Sequence, residues 1–399
     1  MEGKKYNILV ITELFPNDDF PYLGSFVYNQ LNYLKKYYNF TIICPQFFGF
    51  KIFYKKKTIK NDFTIHRMRQ PILPLSIIRK IFNIEEKKIL LLSKYITRVR
   101  ILSLAKKINI KEHFNLIIGH ESGIGDEACY VGANLNIPSI FHLHGIYNYH
   151  LDRLGSRSIN NVISNIEQAK NIVSVSKIAI ESYFNGGLQN KKVSIIPNLL
   201  SKTEHIPDLR KDLKEIVKNK KVILSVGWLV KEKKIEQIIR LAHRIKERED
   251  FIILIVGQGG EYNNHNKMIK SLGLENIVYL VGAINPEKMN ALYNICDFLI
   301  HPSIVDSFSM VCLEAMGNRK PIICTKNIGM AEYIKNGKEG FIVEPENDKQ
   351  LQQRVLELLN DDSLRKSMGD NAFKTASNFY SEIIGEKIKE VYDRAIKSK

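Results

Sequence analysis

Along the whole of this 399-residue chain, apolar runs of strand length alternate with segments of helical period. That alternation calls for parallel sheets flanked by helices. In the first half the runs lie at 8–11, 40–44, 116–119, 139–142, 172–174 and 193–196, and in the second at 222–226, 252–256, 277–280, 298–300, 321–324 and 341–343. A chain this long is better served by two cores than by one, so the pattern predicts an α/β architecture with two doubly wound sheets. The join is expected between Pro197 and Lys220, where polar and charged residues surround Pro197 and Pro207. The segment after Tyr380 reads as a helix that crosses back. The expected domains are therefore 1–200 and 201–380, with 381–399 packing on the first.

Composition removes several classes. A hydrophobic share of 44% is that of an ordinary globular protein. The five cysteines form no C-x-x-C pair and sit in or beside apolar runs, so they read as reduced core residues of a cytosolic protein, without a metal or disulfide framework. The N-terminal MEGKKYNILVITELF reads as a first strand, its apolar stretch broken by Thr12 and Glu13, with no signal peptide expected. No apolar run reaches the length of a spanning helix. The formal net charge of +17 is concentrated, because residues 51–111 hold 17 Lys and Arg against Asp62, Glu85 and Glu86. Within it, residues 77–108 mix Ile, Leu, Phe and Tyr with Lys and Arg, and apolar positions 81, 84, 89, 92, 96, 99 and 102 form a broad helical stripe. Such a helix suits an anionic membrane surface; an ordinary packed helix with a solvated basic rim gives the same pattern. Nucleic acid is not expected, since no recognition helix, stacking platform or zinc spacing accompanies the charge.

The most specific spacing lies in CDFLIHPSIVDSFSMVCLEAMGNRKPIICT, residues 296–325. Phe298–Ile300 reads as a buried strand, Pro302–Ser307 as a loop, and Met310, Val311, Leu313 and Met316 as the inward face of a helix. Asp306 then stands at the strand's C-terminal mouth and Glu314 two turns into the helix. A helix start offers unpaired N–H groups and positive partial charge. A phosphate could settle near Phe308, Ser309, Met310 and Val311, with Glu314 on ribose hydroxyls and Asp306 nearest a transferred group. An acidic approach to a helix dipole, followed by a solvent-facing Glu, explains the same spacing equally well.

This block resembles the acidic-x7-Glu signature of glycosyltransferase family 4, the glycosyl transferases group 1, in which E-G-F-G precedes E-A-M. The corresponding residues are Asp306-Ser307-Phe308-Ser309 and Glu314-Ala315-Met316. The first acid is Asp, both loop glycines are serines, and Arg319 stands where a Gly usually precedes Lys320-Pro321. The resemblance implies the GT-B architecture: two facing Rossmann-like domains, the first for the acceptor and the second for a nucleotide sugar, with chemistry in the cleft between them.

Other loops extend it. The stretch FPNDDFPYLGSFVYNQ, with Gly24 before a helix, resembles the family's N-terminal glycine loop, which approaches the donor diphosphate or the acceptor; alone it reads as a turn. In PSIFHLHG, His142 and His144 share a face of the strand end. His144 matches the family's His before Gly, implied to contact the transferred sugar, whereas His142 reads as structural. The loop Val226–Lys234 resembles G-R-L-x-x-x-K-G. Lys233 matches the Lys that stabilises the leaving diphosphate, Trp228 replaces the Arg, and Lys234 replaces the last Gly. Lys231, Lys234 or Arg319 is expected to restore the missing charge; by spacing alone this is a solvated basic turn. Gly257, Gln258 and Gly259 in ILIVGQGGEY would let the protein backbone come close to the nucleotide, and Gly282 to Ile284 would line its base, although either is also a plain strand-to-helix connection. Residues 327–332 match the family's donor loop more loosely.

By resemblance the chain is a retaining hexosyl- or N-acetylhexosaminyltransferase. It would move a sugar from a nucleoside diphosphate, expected to be UDP, to a hydroxyl of bacterial surface polysaccharide, lipopolysaccharide or a lipid-linked glycan. No cofactor or metal is expected, as no D-x-D is placed to hold an ion. The implied location is cytoplasmic, peripheral on the inner membrane face. A nucleotide-sugar epimerase of the same architecture and a non-catalytic subunit binding nucleotide sugar or polyanion are the alternatives.

Overall fold

A computed structural model of the chain describes residues 5–17, 23–46, 57–69, 86–121, 123–147, 156–189, 192–202 and 206–398. The chain divides into two units, Met1–Leu199 with Ile384–Lys399, and Leu200–Ile383.

The first unit is built on strands β1 (Tyr6–Ile11), β2 (Tyr38–Gln46), β3 (Lys57–Lys60), β4 (Phe63–Arg69), β5 (Leu116–His120), β6 (Ser139–Leu143), β7 (Asn171–Ser174) and β8 (Val193–Ile195). Their order is β3-β4-β2-β1-β5-β6-β7-β8, parallel except for the antiparallel β3–β4 edge. Every residue of β5 and β6 is buried, as a sheet covered on both faces requires. Strands β3 and β4 were not foreseen from the apolar runs. They form a polar edge hairpin, closed by Asn61 and Asp62 with φ of 51° and 70°, the left-handed pair that a two-residue turn needs. The helix Ser381–Lys397 returns to this unit: Tyr38 donates to Asp393 at 2.8 Å, Gln30 to Tyr392 at 2.9 Å, and Gly385 leaves no room for a Cβ beneath the Tyr33 ring.

The second unit holds β9 (Lys221–Val226), β10 (Phe251–Val256), β11 (Val278–Gly282), β12 (Phe298–His301), β13 (Ile322–Thr325) and β14 (Gly340–Val343), all parallel, in the order β11-β10-β9-β12-β13-β14. Ile238 and Ile239 of helix Ile235–Arg244 and Val355 and Leu358 of helix Asp348–Asn360 join one buried cluster with Ile253, Phe298 and Ile323. Each such side chain contributes about 1.5–3 kcal/mol on leaving water.

The basic apolar segment needs correction. Residues 77–85 lie outside the described part; from Glu86 to Glu112 the chain is one helix. Its buried stripe is Thr97, Ile101, Ala105 and Ile108, with Leu102 and Leu104 packed partly against the same core; of the expected positions Ile96 is half-buried and Val99 faces solvent. Lys94 and Arg98 point inward, to Asp126 and Glu127, and so do not flank a free apolar face. Leu92, Tyr95, Val99 and Ile110 are left exposed.

Candidate active site

In the second sheet β9 leads outward to β10 and β11, and β12 outward to β13 and β14, so β9 and β12 bracket the point where strand order reverses. Beyond the C-terminal ends of such a pair is where open α/β sheets bind ligands. The two loops there are stitched together: Ile304 N donates to the Glu232 carbonyl at 2.9 Å, and Ser303 Oγ to the same oxygen at 3.2 Å. That contact brings Lys233 and Asp306 to 2.6 Å, across 73 residues of sequence.

Asp306 is held on all sides. Its N–H donates to Asn327 O at 3.3 Å, its carbonyl accepts from Gly329 N at 2.9 Å, and its Oδ2 lies 3.0 Å from His301 Nε2. The loop 327–332 therefore braces this acid. Burial works against the ionised carboxyl, but the Lys233 ammonium and the His301 ring hold it well below the usual carboxylate range. Burial and Lys233 lower His301, which is thus neutral near pH 7, and an ionised acceptor requires its Nε2 to carry the proton. His301 was not singled out in the sequence, although its place at the end of β12 in HPS, five residues before Asp306, was a visible signal.

Asp306 does not cap the following helix by side chain. The N-cap of helix Met310–Gly317 is Ser309, with φ of 77° and no capping bond. Phe308 N reaches Asp306 Oδ1 at 3.4 Å, the long end of a hydrogen bond. The N–H groups of Ser309, Met310 and Val311 have no partner among the described residues and remain suited to an anion. The Phe308 ring is buried against Tyr333 and Phe379. Ser309 stands in a left-handed conformation that costs a residue with a Cβ about 1–2 kcal/mol. Ser309→Gly is expected to raise stability by about 0.5 kcal/mol after the added chain entropy of glycine, read as a higher urea midpoint at unchanged slope.

Glu314 is partly buried, and its Oε2 accepts from Tyr293 OH at 2.7 Å. Burial raises its pKa, and the Tyr293 hydrogen bond opposes that rise. Tyr293, from helix Met289–Ile295, was also missed.

The other residues of the second unit expected on the donor side lie at the same strand ends. Gly227 N donates to Val256 O at 3.0 Å and Gly257 N to Gly282 O at 2.9 Å. A Cβ on Gly257 would stand 1.8 Å from the Gly227 carbonyl oxygen, so the protein's own backbone demands this glycine. Trp228 is half exposed and Ile284 partly exposed. Of the cations expected to replace the missing Arg, Lys234 pairs with Glu346 at 2.8 Å, and Arg319 pairs with Asp370 at 2.7 Å and lies over the Phe373 ring. Both are committed elsewhere, and Lys231 alone of the three is exposed with no ion pair among the described residues.

In the first unit Gly24, with φ of 66°, starts helix Ser25–Leu34, and a Cβ there would meet the Leu14 backbone at 2.3 Å. Phe26 packs on His144, ring centroids 4.6 Å apart, so the glycine turn and His144 are neighbours. His120, at the end of β5, lies 2.9 Å from His144 through Nδ1 and Nε2, and His142 Nε2 pairs with Tyr392 OH at 2.8 Å. Burial pulls His144 down to about 3, which makes it an uncharged contact group and a poor base at neutral pH. Glu121 holds the turn by accepting from His144 N at 2.6 Å and from Gly145 N and Tyr183 OH. The nitrogens of His120, His142 and His144 lie within 4.8 Å of one another. Of these atoms, His120 Nδ1 and His144 Nε2 are engaged with each other and His142 Nε2 with the Tyr392 hydroxyl.

Residues 208–375 match the profile of the family described as Glycosyl transferases group 1. That stretch makes up most of the second unit. An uncharacterized glycosyltransferase of Methanocaldococcus jannaschii is 29% identical over 287 residues, covering 67% of this chain and 73% of that protein. The N-acetylgalactosamine-N,N'-diacetylbacillosaminyl-diphospho-undecaprenol 4-alpha-N-acetylgalactosaminyltransferase of Campylobacter jejuni is 32% identical over 197 residues, which is 49% of this chain and only 52% of that enzyme. Among solved structures, Anabaena HepE in complex with UDP-glucose superposes with a TM-score of 0.73 at 16% identity, over 97% of this chain and 99% of that one. At that identity the likeness shows the fold: the chain has the GT-B fold, with two Rossmann-like α/β units.

Proposed function

We propose that this protein is a retaining glycosyltransferase of group 1 that transfers a sugar from a UDP-sugar to a hydroxyl of a surface polysaccharide, lipopolysaccharide or lipid-linked glycan. The observation that carries the reading is the Lys233–Asp306 pair at the switch point of the second sheet, beside the uncapped start of helix Met310–Gly317. As the glycosidic bond to the diphosphate breaks, negative charge grows on the departing phosphate and positive charge on the anomeric carbon. Lys233 and the helix amides are the groups to meet the first, Asp306 the second. The reading routes no step through a metal. UDP is favoured by the nucleotide sugar bound in HepE, and a lipid-linked acceptor by the name of the Campylobacter enzyme. Retention is carried over from the family, and His144 is assigned to contact with the transferred sugar.

Incubation of the purified protein with UDP- and GDP-sugars and glycan acceptors tests this, with the product's anomeric configuration read by NMR. Transfer from a UDP-sugar with retention is expected. Epimerisation without acceptor, or no turnover of any donor, overturns it.

Membrane contact belongs to the same proposal. Leu92, Tyr95, Val99 and Ile110 fall on one face of helix Glu86–Glu112, with Lys106 on that face and Lys107 and Lys111 exposed nearby. From 92 to 110 the stripe runs about 27 Å. No helix among the described residues is long and apolar enough to cross a membrane. Vesicles with anionic headgroups are expected to sediment the protein, less so as salt rises, and Leu92→Ser with Tyr95→Ser to reduce that several-fold. Equal sedimentation with neutral vesicles counts against it.

A further inference from the structure

We propose that Tyr293 is a positioning residue for ribose recognition, holding one carboxylate oxygen of Glu314 so that the other meets the nucleotide's ribose hydroxyls. The inference rests on the reading of this unit as a nucleoside diphosphate site, and it adds the element that makes Glu314 selective. Tyr293 is 1% exposed and sits in helix Met289–Ile295 between the buried Leu292 and Cys296, so its phenol has little freedom. The Tyr293 hydroxyl is the sole hydrogen-bond partner of the Glu314 carboxylate among the described residues, and it engages Oε2 only. Oε1 is left to accept from a ligand. Among the described residues no ammonium or guanidinium pairs with Glu314, unlike Asp306. Burial favours its neutral acid, and the Tyr293 donor is what opposes this. A carboxylate accepts from two hydroxyls, whereas a protonated carboxyl turns one oxygen into a competing donor. A site built around such an acceptor also penalises a ligand that lacks the hydroxyl.

The test compares UDP with 2′-deoxy-UDP and 3′-deoxy-UDP by calorimetric titration of the full chain, as wild type, Tyr293→Phe and Glu314→Gln. Wild type is expected to prefer UDP over at least one deoxy analogue by about 10-fold or more, an ordinary yield for a charge-assisted hydrogen bond. Tyr293→Phe should collapse that ratio at least several-fold while binding the deoxy analogue as wild type does, and Glu314→Gln should do the same. A merely structural role for Tyr293 would weaken all three ligands together and leave the ratio intact, which overturns the inference. Should Tyr293→Phe fail to fold, Glu314→Gln decides: an unchanged ratio there overturns it as well. If wild type binds UDP without discrimination, the donor site stands and this inference falls; if it binds no nucleotide, the functional reading itself fails.

Discussion

Lys233→Ala and Asp306→Asn are each expected to lower kcat/KM for sugar transfer by at least about 100-fold, the scale of removing one preorganised charge from a transition state. The two groups meet at 2.6 Å with side chains only 21% and 17% exposed, so neither is a solvated surface ion. In the resting site Asp306 fixes the ammonium; on donor binding the ammonium can be shared with the diphosphate, where charge builds as the bond breaks. Lys233→Ala should therefore reduce kcat as well as raise the donor KM, because the interaction strengthens in the transition state. Asp306→Asn keeps the volume and one hydrogen bond to His301 and removes only the charge. Its stability should carry a pH signature. The wild-type carboxyl, held below its ordinary range, contributes stability that is present above about pH 4 and is lost as acidity carries the group toward its lowered folded value. The variant should lack that acid limb. Unfolding profiles at several pH values, beside steady-state kinetics, separate loss of chemistry from loss of fold. Transfer within about 10-fold of wild type in both variants would place the chemistry elsewhere.

What the sequence made legible is clearest where it departs from the family pattern. Lys234, Ser309 and Arg319 each stand where the family usually has glycine, and their φ angles are 51°, 77° and 58°. The left-handed turn that glycine favours has been kept while the glycine has gone. The fold of these loops was thus readable from the motif, but the new side chains' occupations were not, since Glu346, Asp370 and Phe373 reach them from distant helices and loops. The alternating apolar runs located the buried strands because both faces of those strands are covered. They passed over β3 and β4 because an edge hairpin buries only Phe63, Ile65 and Met68 amid charged neighbours. His301 and Tyr293 escaped for a related reason: each acts by touching an acid, and a lone His or Tyr beside an apolar run carries no periodic signal. The basic helix misled in the opposite way, since a count of Lys and Arg cannot tell a solvated cation from one that neutralises a buried acid.

Arg98→Ala shows that last difference most sharply, with an expected loss of about 3–5 kcal/mol in the first unit, the usual cost of stripping one partner from a buried ion pair. The Glu127 side chain is fully buried, and Arg98 grips it twice, Nε to Oε2 at 2.6 Å and Nη2 to Oε1 at 3.1 Å, while the guanidinium lies over the Tyr130 ring. The adjacent Asp126 is already served by Lys94 at 3.2 Å and by Asn165 at 2.8 Å, so neither donor is spare. Burial, and then the Asp126 charge, push Glu127 above the usual carboxylate range even with Arg98 present. Without Arg98 the acid can stay buried only by taking up a proton. A folded-state pKa above the unfolded one gives stability that is full below about pH 4.5 and drains away as pH rises through the folded value. The variant should therefore lose most stability on the alkaline side, with denaturant midpoints falling between pH 5 and pH 8 more steeply than in wild type. Arg98→Met combined with Glu127→Met should recover most of the loss, because it removes the charge along with its partner. A loss below about 1 kcal/mol at pH 8 would mean that Glu127 finds water or another donor, and that the pair lies on the surface in the sense that matters for energy.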